Sequence, residues 1–292
     1  MVKKANSPRY DRAAEDVGNI VSFEHVNVLV PDQQLATAFY ISTLGLTRDP
    51  YMMTGPDVMW VNIGRSQFHL PTRGTQVLRG HTGLVVDHYE LLPQRLKAAP
   101  DELEGTLFSY KIRNDRIDVT CPWGNRYRLY PANGRFAPIV LGIPYVAFDV
   151  PRGKASAIGR FYTEIIGAPA QIGEFDDAPA ALVCAGAGQQ LIFRETRGKI
   201  PAYDGHHIQV YVGDFSGPHE QLCERGLITE ESDQHQYRFQ TIVDPANGEP
   251  VFEIEHEVRS LHHPLFARPL VNRNPVQRIM NYQQGQDAVM VG

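Results

Sequence analysis

Cysteine is scarce: the 292-residue chain has three, Cys121, Cys184 and Cys223. The number is odd, the spacing wide, and no CxxC or histidine-rich run flanks them. Neither a disulfide framework nor a zinc knuckle is readable, and the thiols are expected to be reduced and mostly buried. Basic charge is not in excess either. The 28 Lys and Arg against 33 Asp and Glu leave −5, so the footprint of a polyanion binder is missing and nucleic acid is not an expected partner. Long apolar runs are also lacking: the longest uncharged stretch near the middle, Ala137 to Phe148, is broken by Pro138, Gly142 and Pro144 and is too short to span a bilayer. Residues 1–19 are polar and charged with no apolar signal core, which reads as a loosely attached lead-in and predicts a cytoplasmic protein without membrane contact. Gly186-Ala-Gly188 lacks the lysine and helix that a phosphate loop needs, and reads as a turn.

What is present is a hydrophobic fraction of 42%, enough for one large or two average domains, and an internal repeat. His25-Val-Asn-Val-Leu-Val-Pro-Asp32 alternates like a strand; Leu35, Ala38, Phe39 and Ile41 then recur at helical spacing up to a glycine stop at Gly45. Tyr145-Val-Ala-Phe-Asp-Val150 begins the same pattern again, with Phe161-Tyr162 and Gly167 matching Phe39-Tyr40 and Gly45. Each copy holds a second strand-then-helix start, at Gly80–Val86 with Leu91–Ala98 and at His207–Val212 with Gly217–Arg225. Short alternating runs with Gly and Asn turns follow every helix. The fold class expected is α+β: four βαβββ units forming two similar domains with curved, mostly antiparallel sheets. The boundaries read as a lead-in over 1–19, domains over 20–137 and 138–260, and a proline-bearing tail over 261–292 without a strand pattern.

On these residues the chain resembles the vicinal oxygen chelate superfamily, which includes glyoxalase I, bleomycin-binding proteins and ring-cleaving extradiol dioxygenases. The resemblance rests on His25–Asp32 with Phe39-Tyr40 and Leu44-Gly45, and on Cys121-Pro-Trp-Gly-Asn125 and Asp244-Pro-Ala-Asn-Gly248, which look like the family's Asp-Pro-x-Gly-Asn turn. Cys121 departs from that turn, and the second copy carries an extra residue. The resemblance implies a divalent metal chelated by side chains from the first and last strands of two units that close into a half-barrel.

Carried over by position, the units in order offer His25 and His69, His81 and Arg128, Tyr145 and Ile192, and His207 and Glu253. Phe193 is an alternative to Ile192, and Glu255 to Glu253. Imidazole and carboxylate bind first-row divalent metals, whereas guanidinium and an aliphatic group do not. Pairing units in sequence leaves a poor ligand in each site. Pairing the first with the fourth collects His25, His69, His207 and Glu253, and is the simpler account; sequential pairing would make His81 a ligand. Crossed pairing is what the resemblance to hydroquinone-cleaving dioxygenases and to single-chain glyoxalases implies, in the former group through His25, His207 and Glu253.

Three functions follow. The leading one is a non-haem Fe(II) ring-cleaving dioxygenase acting with O2 on a phenolic, catechol- or hydroquinone-like small molecule, with His81, Tyr145 and Tyr211 as candidate acid/base groups. A glyoxalase-like isomerase or lyase on an enediol-like substrate would use Mn(II), Ni(II) or Zn(II), with Glu253 as base. A non-catalytic binder of an aromatic compound is the third. A fourth protein ligand, His69, points to the second reading and its absence to the first. Assembly as a homo-oligomer is compatible with all three.

Overall fold

The computed structural model describes residues 10–51, 57–274 and 276–287. Most of the lead-in, residues 1–9, and the last five residues of the tail lie outside the described residues. Four βαβββ units follow one another along the chain. The first is β1 (Ile20–Asn27), α1 (Gln33–Ala36), β2 (Thr47–Arg48), β3 (Val58–Ile63) and β4 (Ser66–Pro71). The second is β5 (Gly80–Val86), α2 (Leu92–Lys97), β6 (Ser109–Ile112), β7 (Ile117–Thr120) and β8 (Arg126–Pro131). The third is β9 (Gly142–Pro151), α3 (Ala155–Phe161), β10 (Ala170–Phe175), β11 (Ala178–Cys184) and β12 (Gln190–Thr196). The fourth is β13 (His207–Val212), α4 (Ser216–Glu224), β14 (Ile228–Asp233), β15 (Gln236–Val243) and β16 (Pro250–Ser260).

The units do not pair in sequence. One sheet runs β14-β15-β16-β13-β1-β4-β3-β2 and the other β10-β11-β12-β9-β5-β8-β7-β6. The first unit thus shares a sheet with the fourth, and the second with the third. In each sheet the first strands of the two units meet antiparallel at the centre, β1 on β13 and β9 on β5. Each first strand is also parallel to the last strand of its own unit. Every central strand therefore has both edges paired, and a concave face is left on each sheet.

The opposite faces share one core, and the repeat explains how. Asp32 caps α1 by accepting from the backbone N–H of Gln34 and Leu35. The helix then loosens into a π-helical stretch over Thr37–Thr43, as α3 does over Tyr162–Ile166, and each ends at a glycine with positive φ, Gly45 and Gly167. These stretches carry the repeated Phe-Tyr pairs, all four rings fully buried. Tyr40 Oη lies 2.6 Å from Tyr127 Oη, and Tyr162 Oη 2.6 Å from His256 Nε2. Tyr127 on β8 and His256 on β16 hold equivalent places, opposite Thr82 and Ile208. Each hydroxyl thus satisfies a buried polar atom on the last strand of the next unit, fastening consecutive units that lie in different sheets.

The tail covers the mouth of the first sheet. Phe266 packs edge-on to Tyr211 with ring centroids 4.9 Å apart, Tyr282 on Tyr51 at 5.2 Å, and Arg268 forms a buried ion pair with Asp49. At the other end Asn19 donates to the carbonyls of Ile166 and Asp214 at 2.8 and 2.9 Å, so the entry into β1 is fastened. The cysteines are all unpaired as expected, but only Cys121 is buried; Cys223 is exposed. Among the described residues no helix is long and apolar enough to cross a membrane.

The tyrosine pair has a measurable cost. Tyr40→Phe or Tyr127→Phe leaves one buried hydroxyl without its partner and is expected to cost about 1–3 kcal/mol, whereas the double replacement removes both and recovers most of that loss. Urea unfolding of the four proteins checks this. Losses that simply add in the double variant would show that the two hydroxyls are not coupled.

Candidate metal centre

Strand alternation sets the first sheet's concave face. His25 stands opposite Gln209, Asn27 opposite His207, and Gln67 and His69 lie alongside on β4. On the other flank His207 is in register with Glu255, Gln209 with Glu257 and Tyr211 with Arg259. Side chains two apart on a strand share a face, so all of these line one cup. A bulge adds one more: the β1–β13 register slips between Phe23 and His25, turning the carboxylate of Glu24 to the same side as the His25 ring.

Three ligand-type groups converge there. Ligand atoms of His25, His207 and Glu257 all lie within 4.8 Å of one another, close to the ~4.2 Å that two ligands at about 2.1 Å from one ion can span. Both imidazoles have the same surroundings: Nδ1 of His25 faces Glu24 at 3.5 Å, and Nδ1 of His207 faces Glu255 at 3.5 Å. For His25 this favours the tautomer protonated at Nδ1 with Nε2 free, the orientation that a carboxylate beside a ligating histidine produces. Nε2 of His25 is buried and has no hydrogen-bond partner among the described residues, and Nε2 of His207 lies 3.6 Å from Glu257 Oε2. Burial holds the His25 imidazole well below its ordinary pKa, helped by His69 and Arg259, and pushes His207 down to about 3, helped by Arg238. Both rings are neutral donors at physiological pH.

Glu257 is nearly buried, at 3% exposure, which a carboxylate tolerates only with charge partners. Arg259 supplies one at 2.6 Å and Arg238 another; Arg238 also reaches Glu255 at 2.5 Å, and Arg259 reaches Glu24 at 3.2 Å. Three carboxylates against two guanidiniums leave one negative charge in excess (3 − 2), which favours a cation. Gln209, fully buried between His25 and Glu257, has neither amide atom hydrogen-bonded among the described residues. The donor set, the orphaned Nε2 and the charge excess together fit a divalent metal.

The other candidates divide between this cup and places outside it. Glu253 is a correction: it is exposed and accepts from Gln240 at 3.2 Å. In the second sheet Arg128 stands opposite Gly83, as Glu257 stands opposite Gln209. Glu257, not Glu253, is therefore the fourth unit's equivalent of Arg128. The offset arises because the β15–β16 hairpin extends well past the site before turning, whereas β7 and β8 turn at once after Thr120. His69 lies in the cup but is stacked between Trp60, 3.7 Å away and nearly parallel, and His25 at 3.6 Å, with Nε2 hydrogen-bonded to Gln67 at 3.0 Å. It is not in the converging group. Tyr211 is in the cup, with Oη 3.5 Å from Glu24 and 3.4 Å from Arg259.

His81 and Tyr145 are in the second sheet and face its own cup, away from the three ligands. Their contact is 3.4 Å, and Tyr145 also meets Tyr130 at 2.9 Å. Phe136 and Phe175 pack against these rings, and Arg128 is paired with Asp176 at 2.7 Å. Burial pushes His81 down to about 3, with Arg128 adding to the effect. Among the described residues this cup brings no ligand group together.

Sequence reasoning missed Glu24, Gln209, Arg238 and Arg259. The bulge that turns Glu24 inward has no sequence mark. Sequence reasoning missed Glu257 too: on that strand it put forward Glu253 with Glu255 as the alternative, and the register that brings Glu257 into the row of Gln209 is not visible in the residues. A cavity of about 650 Å³ reaches the rim of the cup at Glu24, Gln67 and Tyr211 and extends from there among polar residues such as Arg65, Gln189 and Arg268 and apolar ones such as Phe23, Ile139 and Phe266; His25, His207 and Glu257 are not among its lining residues.

Neither a protein-family model nor a curated protein matches the sequence. Solved structures do. A variant of glyoxalase I from Zea mays superposes with a TM-score of 0.57 at 14% identity, covering 82% of this chain and 92% of that one. Glyoxalase I itself from the same plant gives 0.55 at 12%, with coverage of 82% and 92%. A candidate dioxygenase from Bacillus subtilis subsp. subtilis str. 168 gives 0.55 at 16%, covering 83% and 86%. At such identities the likeness concerns the fold. With four βαβββ units in two eight-stranded sheets, the chain shares the fold of these glyoxalase and dioxygenase structures.

Proposed function

We propose that the protein is a metal-dependent enzyme, a ring-cleaving dioxygenase using Fe(II) and O2 on a phenolic, catechol- or hydroquinone-like small molecule. The observation that carries this reading is the number of converging ligands. His25, His207 and Glu257 make a two-histidine, one-carboxylate set, and His69, whose participation would favour a glyoxalase-like centre, is held instead by Trp60 and Gln67. Three protein ligands leave adjacent positions open. Fe(II) held there supplies Lewis acidity to substrate oxygens and redox chemistry toward dioxygen.

The chain's own residues suit the rest. Glu24 and Tyr211 line both the cavity and the metal group, where a phenolic hydroxyl proton has an acceptor. Arg259 ties Glu24 to Glu257 and keeps both carboxylates in place. The apolar cavity walls accept a ring, and the tail residues Phe266 and Arg268 close over it and limit water. His81 and Tyr145 take no part in this proposal.

Metal content tests the ligand set. His25→Ala and Glu257→Gln are expected to lower the affinity for Fe(II), measured anaerobically, by at least about 100-fold, the upper size seen when even outer partners of a metal site are lost. Glu253→Gln and His81→Ala are expected to bind as wild type. Equal loss in Glu253→Gln and Glu257→Gln would overturn the assignment.

Oxygen uptake tests the reaction class. The Fe(II)-loaded protein is expected to consume O2 with at least one member of a panel of substituted catechols and hydroquinones, and not when loaded with Zn(II). Metal binding without O2 uptake across the panel, accompanied by turnover of hemithioacetals, would replace this reading with the isomerase one. Ligand binding without any metal would replace it with the binder.

A further inference from the structure

A second group of ligand-type side chains lies on the opposite face of the first sheet. His219 and Cys223 are four residues apart on α4, hence on one face of that helix. Glu231 on the edge strand β14 stands opposite Tyr237, and His219 packs against the same Tyr237 ring with centroids 4.9 Å apart. This contact fixes the imidazole over the strand. His219 Nε2 lies 2.8 Å from Glu231 Oε1, and Cys223 Sγ lies 3.6 Å from the same nitrogen. All three ligand atoms are within 4.8 Å of one another.

We propose that His219, Cys223 and Glu231 form a second metal site, for a thiophilic divalent cation such as zinc. Sulfur at about 2.3 Å and nitrogen at about 2.05 Å from a tetrahedral ion stand about 3.6 Å apart, the separation already present between Cys223 and His219. Nitrogen and oxygen ligands need about 3.3 Å, so Glu231 withdraws by about half an ångström when the ion takes the place of the proton shared with His219. Glu231 is exposed, at 62% of its side chain, and has room to do so. The thiol gives up its proton to solvent as the metal–sulfur bond forms, the His219 imidazole keeps its one proton on Nδ1 so that Nε2 can ligate, and water fills the fourth position. The thiolate distinguishes this site from the cup, which has only nitrogen and oxygen donors and suits a harder ion.

The test is titration of the chelator-stripped, full-length protein with Co(II) under reducing conditions. The expected result is a near-ultraviolet thiolate-to-cobalt charge-transfer band with tetrahedral visible bands, displaced by zinc and saturating at one equivalent once the cup is emptied by Glu257→Gln. Cys223→Ser abolishes the band, His219→Ala weakens zinc binding by at least about tenfold, and Glu257→Gln, which empties the cup, leaves the band intact. All three variants are judged against circular dichroism of the same samples, and since Cys223 is exposed its replacement is expected to retain the fold. No thiolate band in the folded wild type, a band that survives Cys223→Ser, or one unaffected by His219→Ala overturns the proposal.

Discussion

The antiparallel pairing of β1 with β13 is the contact on which the rest depends. It places His25 opposite Gln209 and Asn27 opposite His207, and so brings together two histidines from opposite ends of the chain. The parallel pairing of β13 with β16 then adds Glu257 in the row of Gln209. A one-residue slip in either ladder would turn an entire row of cup residues into the core. The apolar residues between them, Val26, Ile208, Val210, Ile254 and Val258, are all buried in the shared core, and burying that row on the far face is what forbids the slip.

The same geometry separates two cups that began as one repeat. His81 holds the place of His207, Tyr145 that of His25 and Arg128 that of Glu257. In the second sheet a guanidinium and phenols replace the ligands, and the space is closed by aromatic rings and the Arg128–Asp176 pair. In the first sheet the carboxylates and histidines remain, held by Arg238 and Arg259. Burying so many ionisable groups is costly unless each is paired, and the imidazole nitrogen left bare in this cup, Nε2 of His25, lies where the ligand atoms converge.

Much of this was legible in the residues. The four units followed from the repeated strand-helix-glycine pattern, and the crossed pairing of the first with the fourth unit from which side chains can hold a metal. Its weak point was hairpin length. Counting from the turn at Asp244 selects Glu253, but β15 and β16 pair through Thr241–Glu253 and Ile242–Phe252 beyond the site before they turn, and a repeat alignment does not show how far a hairpin protrudes. His69 was read as a ligand, and the stacking on Trp60 that holds it apart from the converging group depends on the β3–β4 register. Glu24 required a bulge, and the covering tail carries no periodicity at all because its side chains are anchored singly, at Phe266, Arg268 and Tyr282.

The central claim is the location and ligand set of the metal in the first cup. Anomalous diffraction at the iron edge, from crystals grown anaerobically with Fe(II), addresses it directly. The account predicts one strong peak within about 2.0–2.3 Å of Nε2 of His25, a ring nitrogen of His207 and a carboxylate oxygen of Glu257, with Glu253 and His81 uninvolved. A peak beside His81 and Tyr145, one coordinated by Glu253, or an iron-free cup in protein shown to contain iron would contradict it.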